Sequence, residues 1–280
     1  MTEAGQRSRS GLPVGDLLTT GPVTVDLPVP ETALAIGAHP DDIEFGAGAT
    51  LARWAEAGCR IVHLVLTDGS KGSWDPNTDL ADLVAARQAE CRTAARVLHG
   101  DSAERPDDVI FLGRIDGELT DDEATRRDVV RVIREIRPNV ILGHDPWRRY
   151  RLHPDHRAAG FVTLGAVVAA RDPHFFDDIG PSPHRPSALL LWEPDLANHV
   201  ERAAGYAQAK VAALLCHHSQ LESTMGIDGE PPEPTEEQGA SQSALSGAEE
   251  FAEQVAWQLE QHGRLAGQGP GEAFHLIDHI

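Results

Sequence analysis

The chain alternates short apolar runs with longer stretches of helical spacing. Thr32–Ala38 (TALAIGA) is an apolar run that stops at a His-Pro turn, which predicts a buried strand. FGAGATLARWAEAG follows, with small and apolar residues at helical spacing and Gly58 placed to end the helix. Arg60–Leu66 (RIVHLVL) predicts a second strand, and the Gly-rich TDGSKGSWDPNTD after it a loop. Asp79 is placed to cap a helix that runs through Leu98 and stops at Gly100. Asp108–Gly113 predicts a third strand. Thr120 and Glu123 then form a capping-box pattern ahead of a helix to about Ile136, which Pro138 breaks. Asn139–His144 (NVILGH) predicts a fourth strand, and the loop DPWRRYRL leads to HPDH and a helix reaching about Arg171. Ser187–Glu193 (SALLLWE) predicts a fifth strand.

Strands that alternate with helices predict an α/β fold with a mainly parallel sheet covered on both faces. Residues 1–30 are polar and punctuated by Gly and Pro, and read as a flexible N-terminal arm; residues 31–280 read as a single domain. About residues 222–246 the chain is acidic, Pro-rich and without apolar periodicity, which predicts a mobile loop. EEFAEQVAWQLEQHG returns to helical spacing, and EAFHLI near the end reads as a last strand or docking segment.

With 280 residues, 41% hydrophobic and 24% charged, the chain can bury the core of one large soluble domain. Its formal net charge of −20 repels phosphate backbones and argues against nucleic acid as the main partner. Cys59, Cys91 and Cys216 lie far apart with no zinc-ribbon or Cys-x-x-Cys spacing, and read as reduced thiols. The N-terminal segment lacks the apolar run of a signal peptide. The longest apolar candidate elsewhere, Phe161–Ala170, is far too short to span a membrane. A cytoplasmic enzyme with no membrane partner is expected, and a homo-oligomer is left open.

Two turns carry the chemistry. His39-Pro40-Asp41-Asp42 follows the first predicted strand, at the sheet edge where open α/β folds bind ligands. Imidazole nitrogen and carboxylate oxygen are good ligands for zinc or iron. Taken alone, the same residues could simply cap the next helix. His153-Pro154-Asp155-His156 repeats the pattern after the fourth strand, with two histidines three positions apart. Two His-Pro-Asp turns at equivalent strand ends can converge on one ion.

AHPDD (Ala38–Asp42), continuing as IEFGAGATLA, together with HPDH (His153–His156), resembles the PIG-L/LmbE-like de-N-acetylases. VLTDGSKGS, the RQAE stretch (Arg87–Glu90), KVAALLCHHSQ (Lys210–Gln220) and EAFHLI fit the same pattern, and the resemblance covers roughly residues 33 to 220. It implies a Rossmann-like three-layer sandwich and a zinc-dependent hydrolase, with Fe²⁺ or another divalent metal as substitutes. The substrate implied is a small N-acylated amino sugar or glycoside, cleaved at a linear amide and not at a peptide bond, to give acetate and a free amine. Residue by residue, His39, Asp42 and His156 match the metal ligands and Asp41 the general base. His153 matches the histidine that stabilises the oxyanion, in its protonated form, or delivers a proton. Asp155 either orients one of the ligand histidines from behind or is a carboxylate favoured by the helix dipole.

The loop before HPDH carries Trp147, Arg148, Arg149, Tyr150 and Arg151 against an acidic background. Aromatic faces stack on sugar rings and Arg donors suit hydroxyls or anions, so Trp147, Arg149 and Tyr150 are candidate substrate contacts. A solvated loop with one buried aromatic is the other reading. Lys71, with Ser70 and Trp74, lies on the loop after the second strand at the same sheet end. Arg87 and Glu90 read as a structural ion pair, and His217 and His218 as a helix C-terminus. An amidase acting on a larger sugar-thiol conjugate fits the same site. A non-catalytic relic of the fold should have lost its base or a ligand, and none is missing. A dinucleotide-binding protein is disfavoured, because GAHPDD replaces the Gly-rich turn and its carboxylates would repel a pyrophosphate.

Overall fold

Alternation along the strands decides the layering. In β2 (Thr32–Gly37), Leu34 and Ile36 pack into one apolar cluster while Ala33 and Ala35 pack into another on the opposite face. β3 (Arg60–Thr67) splits in the same way, with Val62, Leu64 and Leu66 on the first side and Ile61 and Val65 on the second. The structure, a computed structural model, describes residues 19, 21–100, 108–227 and 242–280.

Among the described residues, one sheet of eight strands runs through the molecule. Besides β2 and β3 it contains β1 (Thr24–Val25), β4 (Val109–Arg114), β5 (Val140–His144), β6 (Ala188–Trp192), β7 (His199–Arg202) and β8 (Gly271–Ile277), in the order β1-β7-β8-β6-β5-β2-β3-β4. From β6 to β4 all neighbours are parallel, and β8 enters antiparallel between β6 and β7. Helices α3 (Glu123–Ile136) and α4 (Pro154–Arg171) cover one face through Val129, Ile133, Val162 and Ala166. The other face is covered by α1 (Asp42–Glu56), α2 (Leu80–His99) and α5 (Ala207–Leu214), which contribute Leu51, Trp54, Cys91, Leu98 and Ala213. Burying each large apolar side chain in these layers is worth about 1.5–3 kcal/mol. The expected mainly parallel sheet covered on both faces is therefore observed. A further helix, α6 (Gln242–Arg264), packs Phe251, Val255 and Leu259 against Leu214, Leu221 and Met225. No helix among the described residues is long and apolar enough to cross a membrane.

Several local expectations change. Residues 24 and 25, expected within a loose arm, form β1 and pair in parallel with His199 and Val200. Leu27 N donates to the buried Glu201 carboxylate at 2.8 Å, which draws this segment onto the sheet edge. β7 is too short and polar (HVER) to stand out as an apolar run. The Thr120/Glu123 capping box does not form. Asp122 is the N-cap, its carboxylate accepting from Thr125 N at 2.8 Å, and Thr120 Oγ1 donates to Asp122 instead. Within the segment expected to be mobile, Leu221–Met225 forms a π-helical turn with Leu221 and Met225 buried, and α6 begins at Gln242. Residues 228–241 of that segment, and residues 1–18 of the arm, lie outside the described residues.

Gly46 on α1 lies against the indole of Trp192 at the end of β6. A Cβ there would come within 2.4–2.8 Å of the ring. Trp192 is 1% exposed and cannot retreat. Gly46→Ala should therefore cost about 1–3 kcal/mol of stability through overpacking, read as a lower denaturation midpoint at unchanged m-value.

Candidate active site

The carboxyl ends of the parallel strands bring the two His-Pro-Asp turns together. β2 ends at Gly37, and the chain turns through His39 and Asp41 into α1. β5 ends at His144, and the loop after it returns through His153, the N-cap of α4. Asp41 precedes α1 at φ +123°, a region that side-chain-bearing L residues avoid. It makes no capping hydrogen bond, and Asp42 Oδ2 accepts from His39 N at 2.7 Å. These carboxylates are thus not simple helix caps.

His39, Asp42 and His156 face one another. His39 Nδ1 lies 3.3 Å from Asp42 Oδ2 and 3.2 Å from His156 Nε2, and His156 Nε2 lies 3.1 Å from Asp42 Oδ1. Three ligands about 2.0–2.2 Å from a tetrahedral ion stand roughly 3.3–3.5 Å apart. The two imidazole nitrogens are close to that spacing, and Asp42 offers a different oxygen to each, a donor set suited to a divalent metal. His39 turns its other nitrogen, Nε2, toward Asp155 Oδ2 and Asp116 Oδ1, each at 3.2 Å. Asp155 is fully buried and also accepts from Gly117 N at 2.6 Å and Leu119 N at 3.2 Å. Asp116 accepts from Lys71 N at 3.1 Å. Their oxygens hold Nε2 on that side, so that His39 turns Nδ1 toward Asp42 and His156.

The electrostatics are those of a buried, mutually adjusted cluster. Burial alone would raise the Asp42 carboxyl, but the imidazoles of His156 and His144 hold it well below its ordinary value. Burial lowers His39, yet Asp116, Asp155 and Asp42 together raise it well above its usual range. Asp41 behaves oppositely to its neighbour. Burial pushes its carboxyl up to about 6, with the Asp42 charge adding to the rise and the nearby Arg87 opposing it. Arg87 Nη2 lies 3.4 Å from Asp41 Oδ2 and donates to Pro40 O at 2.9 Å, while Nη1 donates to Gly69 O at 2.9 Å. His153 packs edge-on to His39, with ring centroids 4.5 Å apart, and its Nδ1 accepts from Asp155 N at 3.3 Å. Burial and the neighbouring His39 and His156 pull its pKa down, so the neutral ring is favoured, against the expected protonated form. With Nδ1 accepting, that neutral ring carries its proton on Nε2, where it can still be donated.

His144, the last residue of β5, also belongs to this cluster. It lies with Nε2 3.1 Å from Asp42 Oδ2, stacks on His156 at 4.5 Å, and accepts from Trp192 Nε1 at 3.0 Å. Burial lowers its pKa to about 4, so at neutral pH it is a neutral donor to Asp42. Its position at a β5 carboxyl end was the signal available in the sequence. Asp116, in the loop after β4, had the same signal. Arg87 and Glu90 do not pair with each other. Arg87 reaches the Asp41 turn, and Glu90 accepts from Ser219 N and Oγ at 2.9 and 2.7 Å. His217 lies beyond the end of α5 and is fully buried, with Nε2 3.4 Å from Glu44 Oε2.

The candidate substrate contacts stand apart from this cluster. Arg149 Nε bonds Asp195 at 2.9 Å, while Arg148 and Arg151 pair with Glu193 at 3.4 and 2.9 Å. The local positive charge of the loop is therefore balanced by carboxylates that follow β6. Trp147 is half exposed with its ring edge-on to Phe161, and Tyr150 is 92% exposed at φ +58°. Lys71 Nζ reaches Glu118 at 3.2 Å. Among the described residues, no hydrogen bond or ion pair joins the side chains of Trp147, Arg149, Tyr150 or Lys71 to the His/Asp cluster. Against the start of α4 lies a hollow of about 430 Å³, lined in part by Leu119, Arg151, Leu152, Pro154 and Phe161.

The class this defines is an α/β protein with a two-His, one-Asp donor set at the carboxyl edge of a parallel sheet, flanked by a spare carboxylate and a spare imidazole. The chain belongs to the PIG-L family, described as GlcNAc-PI de-N-acetylase, whose profile matches residues 34–167. It is 34% identical over 191 residues to a diacetylchitobiose deacetylase of Thermococcus kodakarensis, an alignment covering 67% of this chain and 69% of that one. To a 1D-myo-inositol 2-acetamido-2-deoxy-alpha-D-glucopyranoside deacetylase of Streptomyces griseus it is 34% identical over 203 residues, covering 65% of this chain and 59% of that one. The N,N′-diacetylchitobiose deacetylase of Pyrococcus horikoshii has a similar structure, with TM-score 0.72, 25% identity, and coverage of 89% of this chain and 84% of that one.

Proposed function

We propose that this chain is a metal-dependent N-deacetylase that hydrolyses the acetamide of an N-acetylated amino sugar or its glycoside. The observation that carries the reading is the mutual spacing of His39, Asp42 and His156 at 3.1–3.3 Å, with Asp41 and His153 beside them. The deacetylase relatives support the acetamide and the sugar. Zinc is the proposed ion, and the His/Asp set also accommodates Fe²⁺. A divalent ion bound there supplies the positive charge that polarises a carbonyl and acidifies water.

The chain's own groups handle the protons. Asp41, pushed up to about 6, is ionised at neutral pH yet basic enough to take a proton from the attacking water. His153 presents Nε2–H toward the oxygen that gains charge as the tetrahedral centre forms. The C–N bond then breaks. The proton taken from water returns to nitrogen, so that one amide and one water give one acetate and one amine. His144 and Arg87 orient Asp42 and the Asp41 turn, and Asp155 fixes the ring of His39. Asp155→Asn should lower zinc affinity about 10–100-fold, since a partner orienting a ligand histidine contributes on that scale. Competition against a chromophoric chelator measures it, and unchanged affinity would remove Asp155 from that role.

The direct test is acetate release from N-acetylglucosamine, diacetylchitobiose and N-acetylglucosaminyl glycosides, with zinc or ferrous iron supplied. Stoichiometric acetate and primary amine support the reading. Release of a larger acid would make the enzyme an amidase on a conjugate, and no cleavage with either metal would overturn the reading.

A further inference from the structure

Two ions that this chemistry does not use are buried together behind α1. Lys210 on α5 and Glu272 on β8 are each 1% exposed, and Lys210 Nζ lies 2.6 Å from Glu272 Oε1. Taking two charges out of water is costly unless their remaining hydrogen bonds are met. Here the backbone of α1 meets them.

α1 is broken at Ala47, whose φ of −146° and ψ of 16° are not helical. In an unbroken helix, Ala49 N–H would bond Phe45 O and Thr50 N–H would bond Gly46 O. Instead Lys210 Nζ donates to Phe45 O at 2.7 Å, and Glu272 accepts from Ala49 N at 3.1 Å and Thr50 N at 2.7 Å. The ion pair is spliced into the helical ladder, one partner serving each side of the break. Side chains inserted in this way are a known cause of helix kinks.

The break separates the turn that carries the site from most of the core-packing part of α1. Beyond it, Leu51, Ala52 and Trp54 pack in the apolar core, which Ile43 before the break also joins. Before it, Asp42–Gly46 carries the Asp42 carboxylate and seats Gly46 on Trp192, which in turn donates to His144 beside Asp42. A straight helix would tie the direction of this first turn to the packing of the rest.

We propose that Lys210 and Glu272 are positioning residues for the active site. By holding the break in α1, they let the Asp41–Asp42 turn face His39 and His156 independently of the core segment. This also gives a task to the stretches KVAALLCHHSQ and EAFHLI, which lie far from the two His-Pro-Asp turns in sequence. The proposal rests on the reading of His39, Asp42 and His156 as metal ligands.

The test is the double variant Lys210→Met/Glu272→Gln, which removes both charges while keeping bulk and an acceptor. Zinc affinity, hydrogen exchange over residues 42–50 and melting temperature are measured on the full chain. The expected result is a folded protein whose zinc affinity falls about tenfold or more, the scale seen when groups that orient ligands are lost. Exchange should rise in the first turn of α1 ahead of the rest. A lower melting temperature with wild-type zinc affinity and wild-type exchange there would overturn the proposal, because the pair would then be structural only. Should the double variant fail to fold, Lys210→Gln/Glu272→Gln, which keeps a donor on the Lys210 side and strands no buried charge, is read by the same criteria. Asp42→Ala serves as the reference. If it retains zinc at wild-type affinity, the ligand reading fails. If it loses zinc while the double variant does not, only the positioning proposal fails.

Discussion

Asp41→Asn should bind zinc with near wild-type affinity and lose about 10²–10⁴-fold in kcat, the usual contribution of a positioned general base. Asparagine is nearly isosteric and, like aspartate, is among the residues that tolerate positive φ. The turn at φ +123° should therefore persist. The side-chain oxygen that faces Arg87 is kept as well. What is lost is the ability to take a proton from water, for which burial has raised the carboxyl to about 6. KM should change little, because binding the sugar does not need the proton transfer. Steady-state acetate release, with zinc content measured on the same sample, checks both halves. Normal turnover would remove Asp41 as the base. A companion variant, Asp41→Gly, should also be inactive, and the strain it relieves should be offset by the loss of the carboxylate beside the buried Arg87. Glycine accepts this backbone freely, whereas a strained non-glycine residue costs on the order of 1–3 kcal/mol.

The central fold was legible because each buried strand is a short apolar run bounded by Gly, Pro or a polar turn. Thr32–Gly37, Arg60–Thr67 and Val140–His144 appear in the structure within a residue or so of their expected limits. The sheet's far edge was not legible. β1 and β7 are short and polar, and they pair across about 175 residues of sequence, as Thr24 with His199 does. Nothing local in EAFHLI says that it inserts antiparallel between β6 and β7.

The donor cluster was legible for a different reason. Its members sit close in sequence within two turns, and the turns share one sheet edge. His144, Asp116 and Arg87 escaped because each stands alone in sequence and acquires a partner only when the strands assemble. The Arg-rich loop shows the converse error. Counting Arg148, Arg149 and Arg151 as free charge ignored Glu193 and Asp195, which reach them from a distant loop. Local composition reports charge, whereas its availability is a tertiary property.

Asp42→Ala should lose zinc and the response of stability to zinc together. In the wild-type protein, an ion that binds only the folded state adds about 2.7 kcal/mol at a concentration a hundred times its Kd. Removing one of three protein ligands should abolish that increment and lower turnover by about 10³-fold or more, since the ion's charge supplies several kcal/mol of transition-state stabilisation. The fold itself should survive without the carboxylate. His144 is held neutral by burial, with its pKa lowered to about 4, and Trp192 still donates to its Nδ1. His39 keeps Asp116 and Asp155 on its other nitrogen. The uncovered site contains no new unpaired charge at neutral pH, but His39 N and His144 Nε2 lose their buried acceptor, so stability without zinc should fall by about 1–3 kcal/mol while the response to zinc disappears. Denaturation with and without zinc, run on both proteins, separates the two effects. If Asp42→Ala still gains stability from zinc, the ion binds elsewhere, and the places to look are the two groups of donors on His39 that omit Asp42, namely His39 with His153 and His156 and His39 with Asp116 and Asp155.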